Sequence, residues 1–182
     1  MKLMELSLRH KCATFDYPFG PYEVTEGFRG KPEYDYEKCI GCAACAIACP
    51  ANAIQVTLDK EKGEAVWRID YGRCIFCARC DEVCPTGAIR LSKEYQMAVL
   101  FNKEDLVVEG RLKLARCENC GKPYTTERLL NYTVERLVAS SNLPKDVLDK
   151  KIKQMKLCPE CRKKVAVSKL VFNFPGKKRR KK

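Results

Sequence analysis

The chain has 182 residues, 46% of them hydrophobic, and a formal net charge of +12. That length allows one or two domains with a modest core. No apolar run reaches the roughly 18–20 residues of a membrane span and no segment reads as a signal peptide, so a soluble or peripheral protein is expected. Thirteen cysteines, twelve of them in C-x2-C or C-x3-C spacings, argue against a disulfide scaffold and for metal in a reducing compartment.

The charge is unevenly spread. Residues 32–100 carry 8 Lys and Arg against 10 Asp and Glu, whereas residues 101–182 carry 22 against 9. Residues 1–31 are nearly neutral and read as an N-terminal docking arm. Leu3, Met4, Leu6 and Leu8 suit a short amphipathic turn or two that needs packing elsewhere to hold it. His10, the only histidine, is expected on the surface, and Cys12, outside every motif, is expected as a free buried thiol. Phe15 to Tyr22 is aromatic, and Pro18 and Pro21 keep it extended. Such an arm either folds over its own domain or docks on a larger partner.

Residues 32–100 form the next unit. Cys39, Cys42, Cys45, Cys49 and Pro50 recur 35 positions later as Cys74, Cys77, Cys80, Cys84 and Pro85. Each set is C-x2-C-x2-C-x3-C-P, the run that binds a 4Fe–4S cluster in bacterial ferredoxins. Ile40/Ile75, Ala53/Ala88 and Ile54/Ile89 keep the same offset, so one unit has been used twice. Soft thiolates in a compact dry pocket suit iron. In two-cluster ferredoxins the fourth cysteine ligates the other cluster. Cluster one is then expected on Cys39, Cys42, Cys45 and Cys84, and cluster two on Cys74, Cys77, Cys80 and Cys49. Between the motifs, Ile54, Val56 and Leu58 alternate, a polar turn follows, and Ala65 to Ile69 returns as a second strand. Trp67 is expected to cover core, and the small residues Ala43, Ala44, Ala46, Ala48 and Ala78 to let the backbone close on the clusters.

Residues 101–176 form a third unit. Asn102 with the acidic residues behind it predicts a helix running to about Ala115. Cys117, Cys120, Cys158 and Cys161 form two C-x2-C knuckles, the pattern of a tetrahedral four-cysteine site. C-x2-C-G-x-x-Y answered by C-P-x-C fits a zinc ribbon or a rubredoxin-like site, so the metal is zinc or mononuclear iron. The 37 residues between the knuckles read as two amphipathic helices, over 126–140 and 144–156. Val165 to Phe172 predicts a strand. Residues 177–182, all Lys or Arg, predict a solvated, disordered tail that could also meet anionic lipid. The expected fold is α+β: a bacterial-type two-cluster ferredoxin domain with an extended N-terminal arm and a helical four-cysteine appendage.

The surroundings of the cysteines narrow the reading. Phe28-Arg-Gly-Lys-Pro-Glu33, Cys39-Ile-Gly-Cys-Ala-Ala-Cys45, Trp67, Cys74-Ile-Phe-Cys77, Glu82-Val-Cys-Pro-Thr86, Leu91-Ser92 and Glu94-Tyr95 resemble the two-cluster iron–sulfur subunit of formate hydrogenlyase and hydrogenase-4. That subunit is in turn similar to the two-cluster ferredoxin subunit of respiratory complex I. The resemblance implies a non-catalytic electron relay in a membrane-bound NiFe hydrogenase. The chain would lie peripherally on the cytoplasmic side of the membrane, among the small and large hydrogenase subunits and a membrane-arm subunit. A ferredoxin or a formate dehydrogenase module would be the donor. A freely diffusing ferredoxin-like carrier is the alternative. A nucleic-acid-binding iron–sulfur protein fits only the knuckles and basic tail, and no nucleic acid is expected.

Overall fold

The computed structural model describes residues 2–9, 14–141 and 143–173. His10, Cys12 and the basic run 177–182 lie outside the described residues. The chain runs α1 (Lys2–Arg9), β1 (Pro32–Tyr34), α2 (Ala44–Ile47), β2 (Ile54–Asp59), β3 (Glu64–Asp70), α3 (Arg79–Val83) and β4 (Ile89–Leu91). A single 3-10 turn over Lys103–Leu106 then leads into β5 (Val107–Arg116), β6 (Pro123–Thr126), α4 (Glu127–Ser140), α5 (Lys145–Met155) and α6 (Pro159–Asn173).

Two antiparallel sheets result. β1 pairs with β4, Glu33 opposite Arg90, and closes the duplicated unit end to end. β2, β3, β5 and β6 form the second sheet in that order. The expected hairpin is present: β2 and β3 pair from Ile54↔Ile69 to Asp59↔Glu64. Ile54, Trp67, Ile69 and Ile89, all at most 2% exposed, are the center of the core, and Cys45, Cys49 and Cys84 pack on its flanks.

Residues 107–115 correct the expected helix. Asn102 does cap, its side chain accepting the Glu104 N–H, but what it starts is one 3-10 turn. Two β-branched residues follow, Val107 and Val108, which lose rotamer freedom in a helix. Gly110, Leu112 and Leu114 then point inward while Glu109, Arg111 and Lys113 point out, the period of a strand. β5 takes the free edge of β3, so the four-stranded sheet runs across the boundary at residues 100–101.

The second correction lies at residues 165–172, expected as a strand and found inside α6. Pro159 and Glu160 suit a first helical turn. The Arg162 N–H donates to the Cys158 carbonyl, so the helix starts on an ordered knuckle rather than from a free nucleus. The helices between the knuckles form as α4 and α5. Thr126 caps α4 by accepting the Leu129 N–H at 3.2 Å. In the arm, Tyr17 and Tyr22 rest edge-on against Tyr95, with centroids 5.6 and 5.8 Å apart, while Phe19 is 96% exposed. The arm therefore folds back on its own domain and still presents an aromatic side chain outward.

Gly110 faces Trp67 across the β3–β5 pair, and the ring of Tyr34 fills the space a side chain would take. A Cβ at Gly110 would lie 2.7 Å from Tyr34 Cε1. Gly110→Ala is expected to cost about 1–3 kcal/mol, as overpacking does in tight sites. It should lower the unfolding midpoint and change the emission of Trp67, the sole tryptophan. An unchanged midpoint and spectrum would show that the ring does not need the gap.

Candidate iron–sulfur and metal centers

The duplication read from the cysteine spacing extends to the backbone. Gly41 (φ 71°) and Ala43 (φ 61°) adopt left-handed conformations in the first loop, and Phe76 (φ 52°) and Ala78 (φ 66°) do so 35 positions later. Asn52 and Gly87 form a third such pair. Left-handed non-glycine residues are strained and cluster where a loop must wrap a ligand. Alternating right- and left-handed residues turn successive N–H groups into a concave, anion-accepting nest, a form common at iron–sulfur sites.

Each loop wraps a cavity. Cys39, Cys42, Cys45 and Cys84 line one, together with Gly41, Ala43 and Ala44. Cys49, Cys74, Cys77 and Cys80 line the other, together with Ala51 and Ala78. Each copy thus presents three cysteines to one cavity and its last cysteine to the other. The short helices make this crossing: Cys45 lies in α2 and Cys80 in α3, and Cys49 and Cys84 follow where those helices end.

The donor set fits a thiolate-ligated cluster. Alanines in both walls leave room, and among the described residues no histidine or carboxylate lines either cavity to compete as a ligand. Backbone N–H groups donate to sulfur in both cavities: Ala53 to Cys49 at 3.3 Å, Phe76 to Cys74 at 3.4 Å, and Ala88 to Cys84 at 3.2 Å. Burial pushes the thiols of Cys45 and Cys74 up and that of Cys80 up to about 12. Cys84 differs: burial raises it, but donors from Thr86, Ile89 and Ala88 outweigh that and lower it. Burial thus favors the thiol form at Cys45, Cys74 and Cys80, whereas bound metal deprotonates a ligating thiol outright. Trp67 meets the expectation of a core residue, at 1% exposure, and its Nε1–H also donates to Cys45 Sγ at 3.4 Å.

A third sulfur group lies in the C-terminal region. The Sγ atoms of Cys117, Cys120, Cys158 and Cys161 all lie within 4.8 Å of one another. Gly121 (φ 69°) turns the first knuckle, and Cys158 starts the turn that becomes α6. The Cys158 N–H donates to Cys117 Sγ at 3.2 Å, the Cys161 N–H to Cys158 Sγ at 3.4 Å, and Asn119 Nδ2 to Cys161 Sγ at 3.3 Å. The Cys158 N–H is the main reason that Cys117 is lowered to about 6. Cys120 receives the Lys122 N–H, which favors its thiolate, yet desolvation and the neighboring sulfurs push it up to about 11. The core here is little more than Cys117, Cys158 and Cys161 with Tyr124 and Leu157, small for the two helices α5 and α6 that depend on it, and a metal on the four sulfurs would add what it lacks.

Two contacts with no local signal in the sequence join this region to the first cysteine loop. Thr126 donates its hydroxyl to the Ile40 carbonyl. Arg128 lies over the Tyr36 ring, 4.7 Å from its centroid, and donates to the carbonyls of Tyr36, Glu37 and Cys39. A Cβ on Gly41 would lie 2.7 Å from Thr126 Cγ2, so glycine there lets the appendage sit directly on the loop.

Comparison with known proteins agrees with this geometry. Residues 38–88 match the 4Fe-4S dicluster domain. Over 151 residues the chain is 42% identical to formate hydrogenlyase subunit 6 of Escherichia coli K12, covering 83% of this chain and 82% of that one. The chain belongs to the formate hydrogenlyase subunit 6 family. Members of this family are related to complex I subunit I: NAD(P)H-quinone oxidoreductase subunit I of Synechocystis is 39% identical over 142 residues, 72% of each chain. A chain of the archaeal membrane-bound sulfane sulfur reductase aligns over 56% of each chain at 33% identity, with a TM-score of 0.42. That superposition is too loose to carry an argument.

Cys158→Ser, or removal of the metal by a chelator, is expected to free α5 and α6 while β3 and β5 stay ordered. Hydrogen exchange would show protection falling after residue 140 and persisting through the four-stranded sheet. Equal loss of protection in β3 would mean that the four-cysteine group holds the whole domain.

Proposed function

We propose that this chain is a non-catalytic electron-relay subunit of a membrane-bound NiFe hydrogenase complex. The observation that carries the reading is the pair of crossed four-cysteine cavities on one duplicated scaffold. Cys80 from one cavity belongs to the same core as Ile54, Trp67, Ile69 and Ile89, and Cys45, Cys49 and Cys84 pack against it, so both cavities share one core. Membership of the formate hydrogenlyase subunit 6 family supports the same reading.

In this reading Cys39, Cys42, Cys45 and Cys84 hold cluster one, and Cys74, Cys77, Cys80 and Cys49 hold cluster two. When bound, 4Fe–4S clusters supply one-electron chemistry at thiolate-ligated iron. The chain's own residues hold the sulfurs at fixed spacing, exclude water with alanine walls, and aim N–H groups at the thiolates. Cys117, Cys120, Cys158 and Cys161 hold one zinc or mononuclear iron, which fastens the appendage. The partners are the small and large hydrogenase subunits and a membrane-arm subunit on one side. A ferredoxin or formate dehydrogenase module is the donor on the other. The seat is peripheral, on the cytoplasmic face, and among the described residues no helix is long and apolar enough to cross a membrane. The exposed aromatic side chain of Phe19 suits a surface that stays bound rather than one that shuttles.

Cys84→Ser is expected to remove the cluster-one signal in electron paramagnetic resonance, and Cys49→Ser the cluster-two signal. In the assembled complex each variant should stop hydrogen evolution from the physiological donor while a dye that reduces the hydrogenase directly still works. Full donor-driven activity with both clusters gone would refute the relay. Recovery of the chain as a lone particle would favor a diffusing carrier instead.

A further inference from the structure

The two copies of the repeat are not equivalent where they face sulfur. Around Cys39, Cys42, Cys45 and Cys84 the donors include side chains. Trp67 Nε1–H donates to Cys45 Sγ at 3.4 Å, and Thr86 Oγ1 lies 3.7 Å from Cys84 Sγ. Tyr34 lines the same cavity, its ring stacked on Trp67 at 3.7 Å and 5°. Its hydroxyl oxygen is buried, and the sulfur it faces is that of Cys39. A buried hydroxyl needs a partner, and in this cavity the partner is sulfur.

The other cavity lacks all of this. At the 35-residue offset Trp67 corresponds to Pro32 and Thr86 to Ala51, and both Pro32 and Ala51 line the second cavity. Proline and alanine side chains carry no donor. Among the described residues, the hydrogen bonds to Cys49, Cys74 and Cys80 come from backbone N–H groups, those of Ala53, Phe76 and Asp81. The remaining walls are Ala53, Ile54, Ile75, Phe76 and Ala78, all apolar.

A reduced cluster carries one more negative charge than an oxidized one. Donors aimed at its sulfurs stabilize that charge and raise the potential. We propose that Trp67, Tyr34 and Thr86 make the first site the more easily reduced of the two, so that one electron arriving at the second site settles at the first. This rests on the two-cluster reading above. The transfer moves one electron and no proton: the second site is oxidized as the first is reduced, and the three side chains keep their hydrogens. They are tuning residues and touch no substrate.

The test is a redox titration of the cluster-loaded protein followed by electron paramagnetic resonance, with the two signals assigned by the Cys84→Ser and Cys49→Ser variants. In the unaltered protein the first-site signal should appear at the higher potential. Tyr34→Phe and Thr86→Val each remove one donor and nearly conserve shape, and Trp67→Phe removes one donor with a smaller ring. Each should lower the reduced fraction of the first site several-fold at fixed poise, where tenfold corresponds to about 59 mV for a one-electron couple, and leave the second unmoved. Ala51→Thr, outside the buried ring pair, should raise the second site toward the first, and it keeps the test open if Trp67→Phe fails to fold. Both signals present with the second site reduced first, or with titrations unmoved by Thr86→Val and Ala51→Thr, would overturn the inference and leave the relay standing. Absence of both signals from the loaded, unaltered protein would instead refute the two-cluster reading and the inference with it.

Discussion

The indole of Trp67 is the contact on which most of the molecule converges. Its strand, β3, is paired on both sides by long partners, β2 and β5. Its ring is stacked on Tyr34 from β1, so it joins the large sheet to the small one. Its N–H reaches Cys45, so the sheet is tied to the first cysteine loop by a directional bond as well as by packing. Deleting an aromatic ring from such a position costs about 3–5 kcal/mol in a typical core. Here the gap would also open beside four sulfurs that need a dry wall.

The constraint beneath this is volume. Two sets of four sulfurs and whatever they hold must lie inside a small domain with a small apolar core. The chain solves it with small side chains at the walls and left-handed backbone at the turns, in both copies. Phe76 takes at φ 52° the conformation that Gly41 takes at φ 71°. The loop conformation is therefore imposed by its surroundings and does not depend on glycine being present. Glycine is needed at 41 for another reason, the close approach of Thr126 and Leu112.

Much of this was legible in the sequence, for physical reasons. The repeat, the knuckles, the β2–β3 hairpin and the helices α4 and α5 are marked by local spacing. At β5 a true cap at Asn102 signals a helix, and the alternation that follows it decides for a strand. At α6 the strand propensity of Val165, Val167, Val171 and Phe172 yields to the knuckle from which the segment grows. The roles of Tyr34, Gly110, Thr126 and Arg128 had no local signal. Each depends on a residue tens of positions away, and only the Trp67/Pro32 and Thr86/Ala51 mismatches within the repeat could have drawn the eye.

The crossing of the two repeats has a consequence for how the molecule is made. A ribosome releases the first copy with Cys39, Cys42 and Cys45 in place, but the cavity they line gains its last sulfur only when Cys84 emerges. The second cavity holds Cys49 early and waits for Cys80. The two sets of four cysteines are completed within four residues of synthesis, and β5 arrives later to cover Trp67 and Tyr34 beside the first cavity. A half-made chain therefore lacks a full set of sulfurs in either cavity. The same crossing makes the ancestral duplication irreversible, because neither copy can be lost without emptying both sites.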